Sequence, residues 1–79
     1  MLLGKYRHFK GNEYEVIAVA RHSETLEEYV VYKALYDSEE FGKNSVWVRP
    51  KKMFEEEITY DGKTMKRFTY IVETIQKQS

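Results

Sequence analysis

A chain of 79 residues with no cysteine is expected to form one domain, residues 1–79. At that size it buries only about 60% of the surface its unfolded form exposes, and it has neither a disulfide staple nor a thiolate for metal or nucleophilic chemistry. Thirteen basic residues balance thirteen acidic ones, which removes the electrostatic case for nucleic acid that a strongly basic domain would offer.

The opening MLLGKYRHFKG has two leucines before glycine and lysine, short of the roughly 7 to 15 apolar residues of a secretory signal. No stretch approaches the roughly 20 apolar residues that cross a bilayer. These features read as a cytoplasmic chain with no membrane partner.

GKYRHF (4–9) alternates moderately, and KGN after it offers glycine for a tight turn into EYEVIAVAR (13–21), which predicts a first hairpin. ARHSETLEE (20–28) is polar and reads as a strand end and turn. EYVVYKALY (28–36) and SVWVR (45–49) are rich in Val, Tyr and Trp, the residues that fit a pleated surface. Pro50 is pre-set for a first helical position, so RPKKMFEEE predicts a short helical turn near 50–56, anchored by Met53 and Phe54. Asp61 and Gly62 suit a type I′ turn between strands at 57–60 and 63–72. The tail TIQKQS could extend the last strand or begin a helix. Six strands and one helical turn predict an all-β fold: a small, strongly bent antiparallel sheet or an SH3-like barrel. Its rival is an open α+β sheet with a longer helix at 50–56.

Alternation puts Val46 and Val48 on one face and Trp47 and Arg49 on the other, with Val31 and Leu35 opposite Tyr32 and Tyr36. If the valines and Leu35 face the core, the other surface displays Tyr32, Tyr36, Trp47 and Arg49 together as a ligand-binding face. Each has a plainer role: a lone tryptophan in so small a domain is a natural core residue, and tyrosines cap a sheet face with the hydroxyl in water. Arg49 could stack on Trp47 or pair with a carboxylate.

His22 and Ser23 are neighbours whose extended side chains point apart, so they do not make a nucleophile and base. His22 and Glu24 share a side if the strand continues, and could act as general base and orienter or hold a polar ligand. In the register of Tyr14, Val16, Ala18 and Ala20, His22 would present a ring nitrogen to the same pocket as Arg49. The plainer reading is a histidine that orders its own turn. Thr25 with Glu28 fits a T-x-x-E capping box, but Tyr29 opens a strand too soon for a helix. The only other histidine is His8, and no H-x-x-x-H or H-E-x-x-H spacing exists, so no metal and no other cofactor is expected. Phosphate-cradling glycine loops and G-x-S-x-G elbows are missing too.

The ordered strings YRHFKGNEYEV, ARHSETLEEYVVYKALY, VWVRPKKMF and DGKTMKRF resemble a small bacterial family, domain of unknown function sixteen fifty-three. The resemblance runs from about Gly4 to Phe68 and implies no activity. It implies that Tyr6, His8, Tyr14, His22, Glu24, Tyr32, Tyr36, Trp47, Arg49, Arg67 and Phe68, among others, belong to the family pattern, and that DSEEFGKN is longer than its usual connection.

Three functions compete. The first is a binding module that takes a planar or anionic ligand (a nucleotide, an RNA base or a peptide carboxylate) on an aromatic and arginine face at His22, Glu24, Tyr32, Tyr36, Trp47 and Arg49. The second is a small hydrolase-like enzyme with His22, Glu24 and Arg49 as catalytic residues. The third is a structural subunit that forms a homodimer through a sheet edge or the aromatic face.

Overall fold

A computed structural model describes residues 1–72, so the expectation for the tail TIQKQS lies outside the described residues. Five strands form one antiparallel sheet in the order β6-β3-β2-β1-β9: β1 (Gly4–His8), β2 (Glu13–Arg21), β3 (Glu28–Ala34), β6 (Val46–Pro50) and β9 (Phe68–Tyr70). Two ribbons stand apart from it, β4 (Asp37–Ser38) with β5 (Gly42–Lys43), and β7 (Glu57–Tyr60) with β8 (Lys63–Lys66). One helical turn, α1 (Lys51–Phe54), follows β6. The fold is all-β, and of the two expected forms it is the bent, open sheet, with β6 and β9 at its two edges.

The turns follow local chemistry. Gly11, at φ +110, lies between β1 and β2, and its N–H donates to the carbonyl of His8 at 2.7 Å. Asp61 at φ 55 and Gly62 at φ 77 give β7–β8 the paired positive angles of a type I′ turn. Pro50 stands one residue ahead of its expected place, as the N-cap of α1, and α1 delivers Phe54 into the interior, 1% exposed.

The choice of inner face departs from expectation. Tyr32, Val30 and Ala34 are buried, whereas Val46 and Val48 are 58% and 61% exposed. The core is built from Tyr6, Val16, Val30, Tyr32, Phe54 and Phe68, with Tyr14 and Tyr70 packed against it. Phe54 and Phe68 stack at 4.1 Å, and Tyr6 and Tyr32 meet Phe54 at 5.3 and 5.5 Å. Aromatic rings bury more apolar area than valines and gain further from such ring contacts, so the aromatic face becomes the concave one and the valine face turns outward.

Three other features escaped the strand pattern. The ladder between β2 and β3 pairs Val16 with Tyr32 but Ala18 with Val31, leaving Ile17 as a bulge. The last hairpin strand breaks at Arg67, whose N–H donates to the Glu56 carbonyl at 3.1 Å and whose carbonyl accepts from Phe9 N–H at 2.9 Å. The residues beyond it pair with β1 instead, Tyr6 with Tyr70. Finally, DSEEFGKN folds into β4 and β5 rather than a plain connection. Among the described residues no helix is long and apolar enough to cross a membrane.

Candidate functional site

Four of the six expected site residues converge. Tyr32, Tyr36, Trp47 and Arg49 line one cleft of about 290 Å³ together with Tyr14, Ser38 and Phe41. Their convergence follows from register: Tyr32 sits opposite Trp47, and Val30 opposite Arg49, so both β6 residues point to the same inner face as the buried Tyr32 and Val30. Tyr14, opposite Ala34 on β2, adds a third strand to that face. Tyr36 lies past the end of β3 and is tied back by a 2.9 Å hydrogen bond between its hydroxyl and that of Tyr14. The β4–β5 ribbon supplies the outer wall, where Phe41 meets Trp47 edge-on at 4.8 Å. The indole N–H of Trp47 donates to Ser45 Oγ at 2.8 Å, which fixes the ring.

Among the described residues, Arg49 is the one charged group in the lining. It neither stacks on Trp47 nor pairs with a carboxylate. Its Nε–H donates a long hydrogen bond, 3.4 Å, to the Tyr32 hydroxyl, and the guanidinium lies over the Phe68 ring at 5.6 Å. Every other arginine is within 4.0 Å of a glutamate: Arg7 of Glu13, Arg21 of Glu28, Arg67 of Glu56. Among the described residues, Arg49 has no such partner. Burial pushes the Tyr14 phenol up, with the Tyr36 hydrogen bond adding to it, so Tyr14 stays protonated.

His8 marks the far side of the same aromatic cluster, 4.9 Å from Phe68 and 6.5 Å from Tyr14 by ring centroid. Burial lowers its pKa first, and the positive charges of Arg49, Arg67 and Lys10 lower it further. Its Nδ1 accepts the Lys10 N–H at 3.1 Å.

The shared pocket expected for His22 and Arg49 does not form, and the Ile17 bulge is the reason. Tyr14 and Val16 point inward, but beyond the bulge Ala18 and Ala20 pair with Val31 and Tyr29 and face outward, since one inserted residue inverts every later side chain. His22 accordingly lines an outer depression with Ala20, Tyr29 and Val48, on the side of the sheet away from Arg49. Its Nδ1 accepts the N–H groups of Glu24 and Thr25 at 3.1 and 3.3 Å. Glu24 thus meets His22 through its backbone, and both belong to the turn. The catalytic trio of His22, Glu24 and Arg49 is not assembled.

Sequence reasoning missed three lining residues. Tyr14 was legible, being in phase with the buried Val16. Ser38 and Phe41 were not, because nothing in DSEEFGKN shows that the segment doubles back over Trp47; an isolated phenylalanine in an acidic loop was the one available signal.

Comparison with known proteins places the chain by family. Residues 4–70 match the family described as protein of unknown function (DUF1653). A crystal structure of a protein of that family from Bordetella bronchiseptica is similar at a TM-score of 0.81 and 28% identity, over 98% of this chain and 95% of that one. No curated protein matches.

Proposed function

The chain belongs to the DUF1653 family of proteins of unknown function, and from that premise we propose, on the site alone, that it is a small binding module whose ligand enters the cleft at Arg49. One observation carries this reading: a partly buried guanidinium with no carboxylate partner among the described residues, at a cleft walled by Tyr14, Tyr32, Tyr36, Phe41 and Trp47. A partly buried charge costs free energy unless it is paired, and a bound anion would supply that pairing. Aromatic walls suit a planar group, whose stacking contributes about 1–3 kcal/mol per ring. Arginine suits an anion gripped by two parallel hydrogen bonds. A nucleotide, an RNA base or a peptide carboxylate combines one or both. The zero net charge speaks against a long nucleic-acid track, which needs many phosphate contacts.

Arg49→Lys tests the reading. Lysine keeps the charge and loses the planar fork, so Tm is expected to stay within a few degrees of wild type while stabilisation by a bound ligand falls. Thermal shift against nucleotides, short RNA and short peptides supplies the readout, because a ligand that binds only the folded state raises stability. A variant that melts far below wild type assigns Arg49 to structure and removes the main support for the cleft.

A further inference from the structure

The strongest hydrogen-bonding capacity left over inside the cleft is that of donors. Ser38 Oγ accepts two backbone N–H groups, from Glu40 and Phe41, both at 3.2 Å. Its lone pairs are therefore occupied, and what remains is the hydroxyl hydrogen, a donor. Arg49 spends Nε on Tyr32 and keeps its terminal N–H groups, which are donors only. The Tyr14–Tyr36 pair uses one hydroxyl hydrogen internally, whichever way it points, and leaves the other, while Tyr32 accepts from Arg49 and keeps its own; the acceptors that remain are neutral phenol oxygens. The Trp47 N–H is committed to Ser45. Among the described residues no carboxylate or amide side chain lines the cleft, and the carboxylates of the flanking ribbon, Asp37, Glu39 and Glu40, are not among its lining residues.

A neutral ring with mixed donors and acceptors, such as a nucleobase, would find only neutral phenol oxygens for its own donors and would leave the Arg49 charge unanswered. An oxyanion accepts from all of them at once. Size narrows the ligand further: about 290 Å³ stands at the lower limit of ligand cavities, roughly 300–1,000 Å³, room for one ring with a substituent. The positive field reaches beyond the lining, since His8 on the other side of Phe68 is influenced by Arg49 and Arg67.

We infer that the cleft binds a small ring acid, a carboxylate or phosphate ester on a single planar ring, with Arg49 and the Ser38 hydroxyl on the oxyanion and Trp47 and Phe41 against the ring. This rests on the binding reading above and specifies the ligand within it.

The test uses three probes that share one ring: benzoate, phenyl phosphate and the neutral benzamide, titrated into the full chain and followed by amide and indole N–H chemical shifts. Benzoate, phenyl phosphate or both are expected to move the Trp47 indole and Phe41 amide signals, with benzamide at least tenfold weaker; the stronger of the two acids names the oxyanion. Ser38→Asp then changes the sign of the site. Aspartate keeps an acceptor for the Glu40 and Phe41 N–H groups, so the ribbon holds, while its carboxylate answers Arg49. Acid capture is expected to fall at least tenfold, with benzamide unaffected. Benzamide binding as tightly as the acids overturns the oxyanion inference and leaves a binding cleft standing. A short single-stranded RNA that moves the same signals when the acids do not also overturns it, in favour of base stacking. Silence from every probe overturns this inference and the cleft together. The wild-type comparison decides even if Ser38→Asp folds poorly.

Discussion

At the scale of single residues, two histidines with similar sequence settings do different work. Each uses Nδ1 to accept backbone N–H groups one turn ahead, His8 from Lys10 and His22 from Glu24 and Thr25. Only His8 is also enclosed, by Phe9, Tyr14 and Phe68. Its pKa lies below the ordinary value of about 6.5, through burial and then the nearby cations. Protonation would also turn the accepting Nδ1 into a donor facing an N–H. A base whose folded pKa is depressed contributes stability that is complete above the unfolded value and lost as pH falls through the folded one. His8→Asn retains an acceptor for Lys10 and does not titrate. The stability advantage of wild type over His8→Asn is therefore expected to shrink between about pH 8 and about pH 5, read from urea midpoints. An advantage that is constant or grows on acidification refutes the assignment.

At the scale of elements, the turn between β2 and β3 shows local strain beside local repair. Leu26 sits at φ 65 and is 60% exposed. Its N–H donates to the His22 carbonyl at 2.8 Å, and its own carbonyl accepts from Arg21 at 3.1 Å. Both bonds use only the backbone of Leu26, the second accepting from the Arg21 guanidinium, and survive Leu26→Gly. A left-handed residue with a Cβ costs roughly 1–2 kcal/mol, and the greater freedom of unfolded glycine offsets part of that. Leu26→Gly is expected to stabilise the protein by about 0.5–1 kcal/mol, measurable by chemical denaturation; destabilisation would mean that the exposed side chain makes contacts worth more than the strain. The element pattern was largely legible: β-rich runs marked β1, β2, β3 and β6, Asp61–Gly62 marked its turn, and Pro50 marked α1. Events that break a period were not. Ile17 looks like any other strand residue, so nothing announced the bulge that sends His22 outward. Arg67 likewise gave no sign that the chain changes sheets there. The inner face was misjudged for a related reason: valine and tyrosine alternate cleanly along β3, and only the partners Phe54 and Phe68, far along the chain, decide which set is buried.

At the scale of the whole molecule, the interior is one aromatic cluster pinned from two directions. Phe54 comes from α1 and Phe68 from β9, and their rings lie 4° from parallel. Phe68→Ala removes the β9 half of that stack together with the ring under Arg49. Deleting a buried phenylalanine costs about 3–5 kcal/mol, most of what a single core of this size supplies. The variant is expected to be largely unfolded at 25 °C by circular dichroism, and a cooperative, near-native melt would show that the stack is dispensable. The strand that carries Phe68 is also the edge that closes onto β1, so residues near the two ends of the described chain must meet. A ribosome makes the chain from its N-terminus, and β1, β2 and β3 can pair as soon as they emerge. The ring-lined side of that nascent sheet stays partly wet until Phe54 and then Phe68 appear, and transiently exposed apolar surface of this kind is what chaperones bind. The side that becomes the tyrosine- and tryptophan-lined cleft is thus the side most open to aggregation while the protein is being synthesised.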